Sequence, residues 1–177
     1  GLNGNVWALC TTDSVLYAGG NFTASGSLST NYVAAWNGSS WSALGNGVDN
    51  FTFALSPKEN GLIAGGNFAQ AGSVTANRVA KWEMSEWSTL GSGLNGGTDD
   101  SGVRDLEYKD GILYAGGTFW SDDGLSQLNI AQWNGTAWLP LGAGIPGWIW
   151  DMDTSGNWLL PYSAGGSYDA RPFDRGS

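Results

Sequence analysis

The sequence predicts an all-β chain made of four-stranded antiparallel units, three complete and a fourth in part. The stretch from Val15 to Gly45, VLYAGGNF, a polar loop and then NYVAAWNGSSWSALG, returns in two later copies that end at Gly91 and Gly142. Each copy has a Gly-Gly pair and, further on, two Trp residues five positions apart. The first Trp recurs after 46 and then 51 residues. A period of this length with strand-like content is typical of β-propeller blades.

The composition is that of one folded domain with many tight turns. The chain has 177 residues, of which 41% are hydrophobic, 29 are Gly and only 13% are charged. This combination is usual for all-β proteins and argues against disorder. The 11 Trp residues either fill the space between sheets or stack on a ligand.

The charge excludes some partners. The formal net charge is −9, and the seven Lys and Arg residues are scattered singly along the chain. Nucleic acid is therefore not expected as a partner, because phosphate contacts need clustered cations. No apolar stretch approaches the ~20 residues of a spanning helix, so membrane insertion is not expected either. With one Cys and no His, the chain has no intramolecular disulfide and lacks the commonest general base and metal ligand.

The first unit, about residues 1–45, contains four predicted strands in order. Alternation of Val6, Ala8 and Cys10 with larger residues indicates the first strand. The Gly-Gly pair that closes the second strand favours either positive φ or close approach of backbones. Residues 21–31 form a loop by composition, and Asn37-Gly38 is a hairpin signal. The predicted strands are Val6 to Thr11, Val15 to Ala18, Tyr32 to Trp36 and Ser40 to Leu44.

The later units follow the same order with local differences. The second unit covers about residues 46–91 and has Glu83-Met84-Ser85 as a weaker turn than Asn-Gly. The third, about 92–142, is longer because of a polar insertion before its first strand. The fourth, about 143–162, repeats the first two strands but has Tyr162-Ser163 where the others have Gly-Gly. An irregular tail is predicted over 163–177.

The order of strand, LYAGG, loop and VAAWNGSSWSALG resembles the kelch repeat of β-propellers, which carries a di-glycine after its second strand and a spaced aromatic pair later. The match departs from kelch in having Trp as the first aromatic and a spacing of five. It is also similar to the glycine-rich propeller repeats of bacterial secreted and surface proteins. This resemblance implies a β-propeller located outside the cell or on its surface, in a bacterium.

Candidate site residues are sought where the repeat is broken. The second Trp of each pair, Trp41, Trp87 and Trp138, keeps one register and is therefore assigned to packing between blades. Loops on a rigid scaffold carry function, and the third unit alone has a Trp beside carboxylates in its loops. The predicted ligand-binding residues are Trp120, Asp122, Asp123, Asp99 and Asp100.

No catalytic constellation or metal site is expected. Paired Asp residues could serve glycoside hydrolysis, but adjacent Asp in Gly-rich loops are commonly solvated turn formers. The copper oxidases among kelch-like propellers need His ligands, which this chain lacks. No cofactor is expected, although the same Asp residues could bind calcium, which prefers carboxylate and carbonyl oxygens.

The sequence predicts a non-catalytic extracellular or cell-surface binding module for a glycan or a protein surface. One alternative is a structural or assembly subunit whose open propeller is completed by self-association, by partner chains or by further repeats of the same protein. Another is a secreted glycan-acting enzyme. Propellers need about four to eight blades. The repeat opens here at a first strand and stops after a second strand, so the two ends do not complement each other, and the chain alone is not expected to close into a ring.

Overall fold

The computed structural model describes residues 1–12, 14–96, 102–120, 128–153, 158–163 and 171–172. All regular elements among these residues are β-strands, and no helix occurs in the described ranges. Within these ranges there is therefore no helix long and apolar enough to cross a membrane. The predicted all-β class is confirmed.

The first blade is an antiparallel sheet with four main strands in meander order. They are β1 (Val6–Thr12), β2 (Val15–Gly20), β5 (Val33–Trp36) and β6 (Trp41–Ala43). The predicted loop over 21–31 is more ordered than its composition indicates. It contains a small hairpin of β3 (Ala24–Ser25) and β4 (Leu28–Ser29).

The second and third blades repeat this sheet. The second has β7 (Thr52–Lys58), β8 (Gly61–Gly66), β11 (Val79–Glu83) and β12 (Glu86–Thr89), with a small hairpin of β9 (Gln70–Ala71) and β10 (Val74–Thr75). The third has β13 (Gly102–Lys109), β14 (Ile112–Thr118), β15 (Ile130–Trp133) and β16 (Trp138–Pro140). The first strand of each blade is called strand a below, and its partner strand b.

The fourth blade has three described strands in sequence order. They are β17 (Ile149–Asp153), β18 (Trp158–Ser163) and β19 (Arg171–Pro172). Strand b thus extends to Ser163. Within the tail predicted as irregular, Arg171–Pro172 instead pairs with Trp158 and Leu159, so it takes the place of a third strand.

The turns between the third and fourth main strands of a blade are made in two ways. The Asn37 side chain accepts hydrogen bonds from the backbone N–H groups of Ser39 and Ser40, both at 3.0 Å, which fixes the predicted Asn-Gly turn. The second blade turns within the predicted Glu83-Met84-Ser85 segment. Met84 and Ser85 both have positive φ, 52° and 64°, which gives a tight two-residue hairpin between β11 and β12.

The blades stack so that strand b of one faces strand a of the next. A β-carbon on Gly65 would lie only 2.6 Å from Cγ1 of Val103, and one on Gly116 only 2.8 Å from Cγ2 of Ile149. Neither glycine has positive φ, so the Gly-Gly pairs serve close approach rather than a special backbone conformation. The hydrophobic core is accordingly divided into clusters, of which three lie at junctions between successive blades.

Two of the three predicted packing Trp residues join neighbouring blades. The indole N–H of Trp87 donates to the Leu44 carbonyl of the first blade at 2.8 Å. That of Trp138 donates to the Leu90 carbonyl of the second blade at 3.2 Å. Trp41 differs, because it is only partly buried and packs on a small cluster within its own blade. The described residues contain no acceptor for its indole N–H.

Trp87→Ala should lower the free energy of unfolding by about 3 to 5 kcal/mol, because the ring is buried between two blades. Trp41→Ala should cost clearly less, since its ring is only partly buried and packs within its own blade. Urea unfolding followed by circular dichroism measures both losses. Equal losses for the two variants would contradict the assignment of Trp87 to a junction.

Candidate functional site

Trp120 is the predicted site residue that lies within the described ranges. It follows β14 after Phe119, is half-buried, and donates its backbone N–H to the Asn95 carbonyl at 2.7 Å. The corresponding residues of the first two blades, counted from the Gly-Gly pair, are Thr23 and Ala69, whose backbone N–H groups donate instead to side-chain oxygens of the linker residues Asn3 and Asp49, both at 2.8 Å. A Trp at this place is therefore specific to the third blade.

A backbone contact joins Trp120 to Asn95, and each of these two residues lies close in sequence to a pair of the predicted Asp residues. Asn95 precedes Asp99 by four residues, and Trp120 precedes Asp122 by two. Asp99, Asp100, Asp122 and Asp123 themselves lie outside the described residues, so their place in the site stays a prediction.

Each strand a carries a β-bulge near its start. The register of pairing with strand b shifts between Val6 and Ala8 in the first blade and at the equivalent place in the other three. One residue in each blade therefore has no partner on strand b, and bulges of this kind redirect the extra side chain. The four bulged residues are Trp7, Phe53, Arg104 and Trp150.

The bulged residues form one continuous surface, which we call the bulge row. The rings of Trp7 and Phe53 lie 5.4 Å apart. The Arg104 guanidinium carbon lies 4.0 Å from the Phe53 ring centroid and 5.0 Å from that of Trp150, which are favourable cation–π distances. Trp7 is 45% exposed and Trp150 is 43% exposed. Two further exposed aromatic residues, Phe51 and Trp148, contact the ends of the row at 5.5 Å and 5.6 Å.

The bulge row and Trp120 lie at the same end of the blades. In the third blade Gly102, at the start of strand a, pairs with Thr118, at the end of strand b. Arg104 stands two residues into strand a, and Trp120 stands two residues beyond Thr118. This end, which also carries the linkers between blades, therefore holds the exposed side chains of Trp7, Phe51, Trp148 and Trp150.

A partly buried carboxylate connects the third and fourth blades beside the bulge row. Asp105 accepts hydrogen bonds from the backbone N–H of Met152 at 2.7 Å and from that of Leu106 at 2.8 Å. Burial raises the pKa of Asp105 despite these two hydrogen bonds, and the negative charge of Asp151 raises it further. Burial also raises the pKa of Glu107, with smaller contributions from Asp105 and its acidic neighbours.

The titratable groups of the described residues do not form a reactive centre. Burial raises the pKa of the Cys10 thiol to about 11, so the nucleophilic thiolate is scarce at neutral pH. Within the described ranges, no three His, Cys, Asp or Glu residues lie close enough together to hold a metal ion. The chemistry that the bulge row offers is stacking, cation–π contact and burial of apolar surface.

A second concave surface lies between the first and second blades. This groove of about 420 Å³ is lined by Trp82, Glu86 and Asn46 among others. Trp82 rests on Gly45, where a β-carbon would lie 3.3 Å from the ring, and Trp133 rests on Gly91 in the same way at 3.1 Å. Because the contact recurs at the next junction, we assign Trp82 to the packing of the repeat.

No protein-family model and no curated protein matches this sequence. Solved structures match in fold. The computationally designed Ika4 protein matches with a TM-score of 0.62 and 18% identity, over 97% of this chain and 93% of that one. The designed Ika8 protein matches with a TM-score of 0.54 and 15% identity, over 98% of this chain and 48% of that one.

The WD40 β-propeller domain of Doa1 matches with a TM-score of 0.52 and 15% identity, over 97% of this chain and 53% of that one. The chain thus spans about half the length of two of these three structures. Together with the four-stranded sheets, these matches show that the chain has a β-propeller fold. At such identities they show the fold alone.

The bulge row was missed by the sequence reasoning, which assumed strict alternation through Val6, Ala8 and Cys10. A signal was present in the sequence. Val6 and Leu9 are three residues apart, as are Val103 and Leu106, and both apolar residues of each pair belong on one face. An odd separation on one face requires an extra residue between them, and that residue is the bulge.

The raised pKa of Asp105 predicts a pH dependence of stability. Its neutral form is favoured in the folded state, so the stabilisation it gives is complete below the unfolded pKa and is lost as pH rises through the folded pKa. Relative to Asp105→Asn, the native chain should therefore lose stability as pH rises above about 4, and the difference should level off at higher pH. Thermal unfolding of both chains between pH 3 and 8 measures this, and a difference that does not change with pH would contradict it.

Proposed function

We propose that this chain is a non-catalytic binding module, a propeller of the kelch-like kind, whose ligand contacts the end of the blades that carries the bulge row. The observation that supports this most is the exposure of Trp7 and Trp150 at the two ends of a row in which Phe53 and Arg104 connect them. Soluble proteins rarely leave several large aromatic side chains exposed together unless the patch has a partner.

The composition of this surface fits a glycan or a protein surface. Aromatic faces stack on sugar rings, and Trp and Arg are frequent among residues that dominate protein interfaces. Arg104 supplies a cation in the middle of the row, held between Phe53 and Trp150. Trp120 and the four Asp residues of the third blade would extend the site with a ring and with hydrogen-bond acceptors.

The proposed module works outside a bacterial cell or on its surface and needs no cofactor. The composition and the repeats support this. The chain is acidic, with a formal net charge of −9, and its Gly-rich repeats are similar to those of secreted and surface proteins. Its only thiol is a partly buried one, so the fold does not depend on the redox state of its surroundings.

A second candidate function is assembly, and the first blade favours it. The side of β1 that would face a preceding blade is open, with Leu9 60% exposed. The fourth blade of the same chain therefore does not cover it. Such a surface fits a subunit, or a part of a larger propeller, whose neighbour covers this side.

Trp7→Ala and Trp150→Ala should each weaken glycan binding by about tenfold or more, because each removes an exposed ring from the row. A panel of immobilised glycans, probed with labelled protein, measures this. Trp120→Ala is included to test the predicted extension of the site. Met84→Ala is the matched control, since Met84 is 84% exposed but lies in the turn between β11 and β12 and not in the bulge row.

The folded state of each variant is checked by its melting temperature. Loss of binding with an unchanged melting temperature supports the site. Binding that is as strong in the three Trp variants as in Met84→Ala would contradict it. A chain that binds no glycan of the panel would contradict a glycan ligand.

A further inference from the structure

The first blade presents an apolar surface that the other blades keep covered. Val6 is 40% exposed and Leu9 is 60% exposed. At the same two positions of the third blade, Val103 is 0% exposed and Leu106 is 4% exposed. We call the side of the first blade that carries Val6, Leu9 and Trp41 its leading face.

The equivalent faces of the second, third and fourth blades are covered, and they show which kind of partner packs on such a face. In the third blade, Val103 and Leu106 pack on Gly65 of the preceding blade, where a β-carbon would lie 2.6 Å and 3.1 Å from their nearest methyl carbons. The same contact joins Gly19 to Thr52 and Leu55, and Gly116 to Ile149 and Met152. Three junctions in one chain thus use one kind of contact, a di-glycine strand against two strand-a residues, which are apolar except for Thr52.

The indole N–H of Trp41 is a second feature by which the leading face differs from the covered faces. Its counterparts Trp87 and Trp138 donate their indole N–H groups to Leu44 and Leu90, each of which follows the last strand of the preceding blade. Trp41 has no such acceptor among the described residues. A blade that covered Val6 and Leu9 in the usual way would bring its own Leu carbonyl to this indole.

The fourth blade does not offer the matching strand. Tyr162 pairs with Asp151 at the register that Gly19, Gly65 and Gly116 hold in the other blades. A β-carbon at that register would come within 2.5 to 2.8 Å of the facing side chain at each of the three junctions. The fourth blade of a second copy would therefore not repeat the contact.

We infer that the leading face of the first blade docks a further β-blade that has a Gly-Gly pair in its second strand and a Leu carbonyl after its last strand. The inference rests on the assembly function named above as the second candidate, and it states the chemistry of the partner. The interface continues the three junctions already present in the chain, so its two sides are specified residue by residue.

A fusion with an added blade tests this inference. Residues 46–92 are duplicated directly before Gly1, since Gly1-Leu2-Asn3-Gly4 repeats the Gly93-Leu94-Asn95-Gly96 that leads from the second blade into the third. The added blade supplies Gly65 for Val6 and Leu9, and the Leu90 carbonyl for Trp41. The readouts are hydrogen exchange of the Trp41 indole N–H and the melting temperatures of Leu9→Ala and Leu106→Ala.

In the chain alone, Leu9→Ala should change the melting temperature little, whereas Leu106→Ala should lower it by about 5 °C or more. In the fusion, the loss from Leu9→Ala should approach that from Leu106→Ala. Exchange of the Trp41 indole should slow on the order of tenfold or more. Unchanged exchange together with an unchanged effect of Leu9→Ala would overturn the inference.

The matched control is the same fusion with Gly65→Val in the added blade only. Valine favours a strand but places a β-carbon against Val6, so the protection of Trp41 should be lost. Protection equal to that of the parent fusion would overturn the role of the di-glycine. Sedimentation of the unmodified chain separates the inference about the partner blade from the assembly function on which it rests. If the unmodified chain dimerises and already protects Trp41, a second copy is the partner, the inference fails and the assembly function stands.

Discussion

The structure depends on how closely strand b of one blade approaches strand a of the next. Each junction is so tight that a single β-carbon on Gly65 would overlap Val103, and the same holds for Gly116 against Ile149. Since no blade buries its apolar face alone, this approach decides whether the sheets stack, and the core is divided accordingly into clusters at the junctions. The Trp hydrogen bonds to Leu44 and Leu90 add a second contact at the outer side of two junctions.

The same requirement produces the candidate binding surface. Two residues of strand a face the di-glycine at each junction, and in every blade these two positions are three apart in the sequence. The bulge that this separation imposes turns one residue per blade toward the end of the sheet, which gives Trp7, Phe53, Arg104 and Trp150 their common row. The β-bulge in strand a therefore serves both the packing between blades and the exposure of the side chains in the bulge row. Variation at the bulged residue, from Trp to Arg, leaves the junction unchanged and changes only what the surface presents.

Much of the fold could be predicted because its strands and turns recur as a repeated sequence pattern. Gly-Gly pairs, Trp pairs and Asn37-Gly38 mark strands and turns that the structure contains, and the role of Trp87 and Trp138 follows from their fixed register. Features that depend on contacts between distant residues could not be predicted in this way. The strand Arg171–Pro172 is defined by its pairing with β18, and the exposure of Trp41 depends on whether a preceding blade exists. Trp120 could be predicted as a site residue because it breaks the repeat, and that role stays a prediction. The bulge row lies inside the repeat, where the sequence pattern predicts an alternating strand.

The close approach of strand b to strand a can be tested most directly by a double-mutant cycle between Gly65→Ala and Val103→Ala. Each single variant is expected to unfold at lower urea concentration than the native chain, because one overfills the junction and the other removes a buried methyl group pair. If the junction is limited by this contact, removal of the Val103 methyls makes room for the new β-carbon, and the double variant should be clearly more stable than the sum of the two losses predicts. Losses that add without any coupling would contradict the account.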